Sequence, residues 1–108
     1  MVINVLGTPY TLKEVDAGED PKIDGTRDGY TDTSVKYCVI DSMKDESPDN
    51  KANLAEYKKG VIRHELIHAF LFESGLDAAS WAMNEEMVDW FALQAPKLMK
   101  AFEEAGAT

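Results

Sequence analysis

Residues 51–75 read KANLAEYKKGVIRHELIHAFLFESG. From Lys51 to Ser74 there is no proline, and Gly60 is the one glycine. Leu54, Tyr57, Val61, His64, His68 and Leu71 recur at spacings of three and four, which is the period of an α-helix. Gly75 is a good C-terminal stop. The spacing therefore predicts a helix from about Lys51 to Ser74, with Ser47-Pro48-Asp49 as the turn that leads into it. On such a helix His64 and His68 share a face.

Working upstream, Val35 to Asp41 carries the best strand signal in the chain. Residues 16–34 hold Gly18, Pro21, Gly25 and Gly29 among many aspartates and read as a polar surface loop. Residues 2–15 alternate loosely around Gly7-Thr8-Pro9, which predicts two short strands about a turn, or one strand with a break.

Downstream, Leu76 to Met83 reads as a short connection. Asn84 caps a second helix that runs to about Ala95. Pro96 suits the first turn of a further helix, Lys97 to Ala105, better than the interior of one. Strands come first and helices after. The expected fold is α+β: a small N-terminal antiparallel or mixed sheet, a long helix bearing the histidines, and one or two C-terminal helices on one face. At 108 residues the chain suits one domain, residues 1–108.

His64-Glu65-Leu66-Ile67-His68 has the form HExxH and contains both histidines of the chain. Two imidazoles one helical turn apart can offer nitrogens to one ion about 2 Å away. Glu65, next to the first histidine, can stand beside that ion and take a proton from a water there. The apolar run around the motif, from Val61 to Phe72, would bury its helix. A buried pair of unpartnered imidazoles would be costly, which favours a metal over two incidental histidines.

A catalytic zinc site needs a third protein ligand and an open position. Neither a third histidine nor a nearby cysteine exists, so the third ligand is a carboxylate. Asn84-Glu85-Glu86-Met87-Val88-Asp89 begins 16 residues after His68. Two antiparallel helices can return Glu85 or Glu86 to the first helix. Asp89 shares the face of Glu85 and can accept the other ring N–H of a ligand histidine. Glu86 otherwise reads as solvated. Cys38 reads as a small buried strand residue, with no free histidine to activate it. Trp81, Trp90, Phe91 and Leu93 read as core around the second helix rather than a substrate pocket.

HExxH followed by NExxxD resembles the gluzincin branch of zinc metallopeptidases, to which the thermolysin-type enzymes belong. The stretches HELIHAFLFESGL and NEEMVDWFALQAPKL also resemble small phage and prophage proteins with an ImmA/IrrE-type or minimal gluzincin layout. The motif-bearing resemblance covers the C-terminal half. It implies a minimal zincin-like domain with Zn2+ as cofactor, His64, His68 and Glu85 as ligands, Asp89 supporting His64, and Glu65 as catalytic base. It also implies that residues 35–41 form the cleft edge and pair with an extended protein or peptide substrate. The interval between the motifs is shorter than in large gluzincins, and no further histidine is present to steady the transition state. Tyr30, Tyr37 and Tyr57 are the candidates for that role. The rival expectation is a catalytically weak or inactive zinc-binding interaction module of phage or prophage origin. A third is an enzyme completed by a partner.

A formal net charge of −9, from 20 acidic and 11 basic side chains, argues against a nucleic-acid partner. No stretch is long and apolar enough to cross a membrane. The start lacks the pattern of a signal peptide, and the single cysteine permits no internal disulfide. The expected setting is cytoplasmic. Oligomeric state is left open by the sequence.

Overall fold

The computed structural model describes residues 1–23, 27–44, 53–76 and 80–108. Four strands come first: β1 (Val2–Val5), β2 (Thr8–Val15), β3 (Gly29–Asp32) and β4 (Tyr37–Asp41). Two helices follow, α1 (Leu54–Glu73) and α2 (Glu85–Glu104), with a short 3-10 turn at Trp81–Met83 between them. The strand order is β1-β2-β4-β3. β2 and β4 run parallel, while the β1–β2 and β3–β4 pairs are antiparallel. The architecture is the expected α+β, with the mixed form of the sheet. The turn expected at Ser47-Pro48-Asp49 and the first two residues of the expected helix lie outside the described residues.

Residues 2–15 form a hairpin. Leu6 and Gly7 make its two-residue turn, at φ 51° and 91°. Two successive positive φ values give the mirror-image turn that suits the twist of paired strands. The turn therefore comes earlier than Gly7-Thr8-Pro9 suggested. Pro9 sits in β2 opposite Asn4, before the stretch of β2 that pairs with β4 begins at Thr11. A proline that cannot donate is tolerated there.

The expected loop at 16–34 contains a strand, β3, which the sequence reading missed. β3 and β4 form a second hairpin with Asp32 opposite Tyr37. Val35 and Lys36 belong to its turn, with Lys36 at φ 61°, so β4 starts two residues later than expected. This changes the edge of the sheet. β4 is hydrogen-bonded to β2 on one side and to β3 on the other, so residues 35–41 offer no free edge. Among the described residues β3 pairs with β4 alone, and it packs against α1 at that end of the sheet.

Alternation along the strands divides the core in two. Tyr10 and Cys38, together with Val5, pack with Ala69 of α1. Val15, Val39 and Ile23 pack on the opposite face. Cys38 is fully buried, as expected, and burial pushes its thiol pKa up. The buried positions of α1 are Glu65 and Ala69, whereas Phe70 and Phe72 stay exposed, so the apolar run around the motif only half-buries its helix.

Asn53 caps α1 by accepting the Glu56 N–H. At the other end Gly75, at φ 82°, donates to the Phe72 carbonyl at 3.0 Å, and Leu76 donates to Leu71 at 3.2 Å. This paired closure needs a left-handed residue, which glycine supplies without strain.

Asn84 caps α2 through the Met87 N–H. The helix then runs unbroken through Pro96, so the two expected C-terminal helices are one. Pro96 has no N–H to give to the Ala92 carbonyl four residues back. Arg63 of α1 supplies the missing donor: its Nε lies 2.5 Å from the Ala92 oxygen.

α2 turns Val88 and Ala92 into the interface with α1. Trp90 and Leu93 consequently point elsewhere and are 51% and 65% exposed; Trp81 and Phe91 are also exposed. The expectation that these four residues form core around the second helix is overturned, because burial follows the Val88–Ala92 face and not residue size. Among the described residues no helix is long and apolar enough to cross a membrane.

Candidate active site

His64 and His68, one turn apart on α1, bring their Nε2 atoms to 3.1 Å. The antiparallel α2 returns Glu85 to the same point. Glu85 Oε1 lies 3.1 Å from His68 Nε2, and Oε2 lies 3.2 Å from His64 Nε2. Ligand atoms about 2.0–2.1 Å from one ion at tetrahedral angles stand about 3.3–3.4 Å apart. His64, His68 and Glu85 thus form a group close enough to bind a metal ion. Glu86 is exposed and is not part of the group.

The geometry around His64 suits a cation. Asp89, one turn beyond Glu85, places Oδ1 2.7 Å from His64 Nδ1. A neutral imidazole carries a single N–H. With that N–H donated to Asp89, His64 Nε2 presents a lone pair. It faces His68 Nε2 and a glutamate oxygen, both natural ligands of a divalent ion.

Glu65 projects from the buried side of α1 toward the sheet, its side chain only 8% exposed. Its Oε1 accepts from the Thr31 hydroxyl of β3 at 2.8 Å. Its Oε2 lies 4.0 Å from His64 Nε2. Burial pushes the Glu65 carboxyl up, and the Thr31 hydroxyl and the two histidines pull against that rise. Below Glu65, the Cys38 thiol lies 3.7 Å from its main-chain oxygen.

β3 approaches α1 closely because Gly29 has no side chain. A Cβ there would stand 3.0 Å from the Val39 carbonyl oxygen and 3.2 Å from a Val61 methyl. Gly29 and Thr31 both face α1, which puts the hydroxyl over Glu65.

Two cavities meet at this point, of about 500 and 690 Å³, and both are lined by Arg27, Gly29, His64 and Glu65. The first continues along the N-terminal half of α1 past Val61 to Leu93 of α2. The second continues past His68 to Leu71, Phe72 and Met83. The site is thus open on both sides of the histidine pair.

Of the three tyrosines considered for the transition state, two are engaged. Tyr57 donates to Asp28, and Tyr30 donates to Asp20 at 2.5 Å. Each aspartate raises its partner's phenol pKa to about 12. Tyr37 is exposed at the start of β4 and lines neither cavity. Arg27 and Thr31 went unread in the sequence, and Gly29 was read only as part of a polar loop. The Tyr30-Thr31 pair, two good strand formers, was the one signal available, and it lay in a segment dominated by glycine and aspartate.

No curated protein and no solved structure matches the chain. A family model does: the family described as BSP, peptidase of plants and bacteria, matches residues 25–107. That span takes in β3, β4, both helices and the whole His–Glu group. The chain belongs to the BSP family.

Proposed function

We propose that the chain is a zinc-dependent endopeptidase with gluzincin-type chemistry. The observation that carries this is the convergence of His64, His68 and Glu85 within 3.1–3.2 Å of one another, beside a buried Glu65. The family description supports a peptidase. It is given for plants and bacteria and lends no support to a phage setting.

In this reading His64 Nε2, His68 Nε2 and a Glu85 oxygen hold the ion, and Asp89 keeps His64 in the tautomer that can ligate. Zinc, when bound, supplies a Lewis acid that polarises the scissile carbonyl and acidifies a water. Glu65 Oε2 accepts the attacking water's proton as the new C–O bond forms. It then delivers that proton to the amine nitrogen as the C–N bond breaks. An extended peptide pairs with the edge of β3, the residue range 35–41 being closed to it. Arg27, a residue that lines both cavities, carries the positive charge for the role that such enzymes give to a histidine.

A second reading, a zinc-binding interaction module without turnover, is favoured by one observation: the Tyr30 and Tyr57 hydroxyls already donate to aspartates. Elemental analysis of purified protein, followed by incubation with casein and a peptide library, separates the readings. About one zinc per chain with cleavage that Glu65→Gln abolishes is the expected result. Zinc without cleavage favours the module, and failure to take up zinc overturns both.

A further inference from the structure

We infer that Thr31 is a positioning residue for the base: its hydroxyl decides which oxygen of Glu65 faces the histidine pair. The inference rests on the reading of Glu65 as the base.

The Thr31 oxygen lies 2.8 Å from Glu65 Oε1 and 2.9 Å from the Glu65 main-chain oxygen. A hydroxyl has one proton to give. As a base Glu65 acts in its ionised form, and an ionised carboxylate is a stronger acceptor than a carbonyl. The carbonyl has another donor close by, the Cys38 thiol at 3.7 Å. The Thr31 proton therefore goes to Oε1, and Oε2 is left turned toward His64. A glutamate side chain has three rotatable bonds, and the Thr31 hydroxyl holds one of its two oxygens. Threonine is suited to the task, because its branched β-carbon restricts χ1. The close seating of β3 on α1 at Gly29 fixes the distance.

The same residue stands at the substrate edge. Asp41 donates to the Asp28 carbonyl at 2.8 Å, so Asp28 and Asp41 are a hydrogen-bonded pair. Antiparallel pairs alternate, which makes Tyr30 and Asp32 the next residues whose main chain points at β4. Thr31 then directs its own N–H and C=O away from β4, toward the open edge. A peptide backbone docked there is held by the main chain of the residue whose side chain orients Glu65, so docking and base alignment are coupled through one residue.

The experiment compares zinc-loaded wild type, Thr31→Val and Thr31→Ser on one casein-derived peptide. Valine keeps the shape and removes the donor. We expect kcat to fall by about 10- to 100-fold in Thr31→Val, with KM and zinc affinity unchanged, and serine to recover most of the loss. A crystal structure of zinc-loaded Thr31→Val should show the Glu65 carboxylate turned away from its wild-type orientation; this reading needs no turnover. Should Thr31→Val fail to fold, Thr31→Ala is read by the same criteria. Unchanged kcat, equal losses in the valine and serine variants, or an unmoved Glu65 in the crystal overturns the inference. Loss of cleavage only in Glu65→Gln, with Thr31→Val fully active, leaves the proposed function standing without it. Activity that survives Glu65→Gln removes the proposed function itself.

Discussion

Arg63 Nε donates to the Ala92 carbonyl oxygen at 2.5 Å, and that oxygen is the one Pro96 leaves without a donor in α2. The contact explains why a proline is tolerated inside a 20-residue helix. It also ties α1 and α2, the helices that carry His64, His68 and Glu85, together one residue away from His64.

Removing this donor should be costly only while the proline is present. Arg63→Met is expected to cost about 1–3 kcal/mol, the penalty of leaving a part-buried carbonyl unsatisfied. In the Pro96→Ala background, where a main-chain N–H reaches Ala92, the same change should cost much less. Denaturant unfolding of the four proteins gives the coupling. Equal costs in both backgrounds would show that Arg63 acts by packing instead.

Glu85→Ala should remove most of the zinc affinity, while Glu86→Ala should leave it near wild type, since of these two glutamates it is Glu85 that lies beside both histidines. Asp89→Ala should weaken binding about 10- to 100-fold without abolishing it. Zinc titration against a competing chelator measures all three. Equal effects at 85 and 86, or no effect at 89, would contradict the assignments.

Gly29→Ala tests the seating of β3. Its Cβ meets a main-chain oxygen at 3.0 Å, which cannot swing aside as a side-chain end would. The variant should lose about 1–3 kcal/mol of stability, the usual cost of an overpacked position. Hydrolysis should fall further than stability accounts for, because Thr31 moves with the strand. Unfolding curves and turnover on the same preparation check this; a stable, fully active variant would refute it.

Glu73 sets an acid limit. The hydrogen bond from Lys36 holds its carboxyl below the ordinary glutamate range, and the Tyr10 hydroxyl adds to this at 2.8 Å. A group whose folded pKa is depressed stabilises the fold above its unfolded pKa and loses that contribution as pH falls through the folded one. Stability should therefore decline below the ordinary glutamate range, and Lys36→Met should flatten the decline. Thermal unfolding across that window is the measurement, and parallel curves for the two proteins would exclude the Glu73 network as a cause.

Much of this was legible because helices encode geometry in spacing. Four residues separate His64 from His68 and Glu85 from Asp89, so each pair's shared face followed from the period alone. Val35 to Asp41 declared a strand by composition. What stayed hidden depends on distant partners. β3 is four residues long and starts with glycine, too short for alternation to register. That β4 is interior and β3 the edge is a fact about pairing order, which no local pattern carries. The break expected at Pro96 obeyed a sound local rule, and Arg63, 33 residues upstream in the sequence, overrode it. Trp90 and Leu93 are apolar enough for a core, but the face of α2 that meets α1 is already taken by Val88 and Ala92.

The candidate site divides by folding distance. Its proposed ligands and the aspartate that meets one of them all lie on the α1–α2 hairpin, His68 and Glu85 being 17 residues apart. Glu65 meets Thr31 only after the chain has closed a 34-residue separation. The proposed ligand group needs only the pairing of α1 with α2, while the proposed base also needs β3 seated on α1. On that reading, a change that loosened β3 from α1 would spare metal uptake and cost turnover.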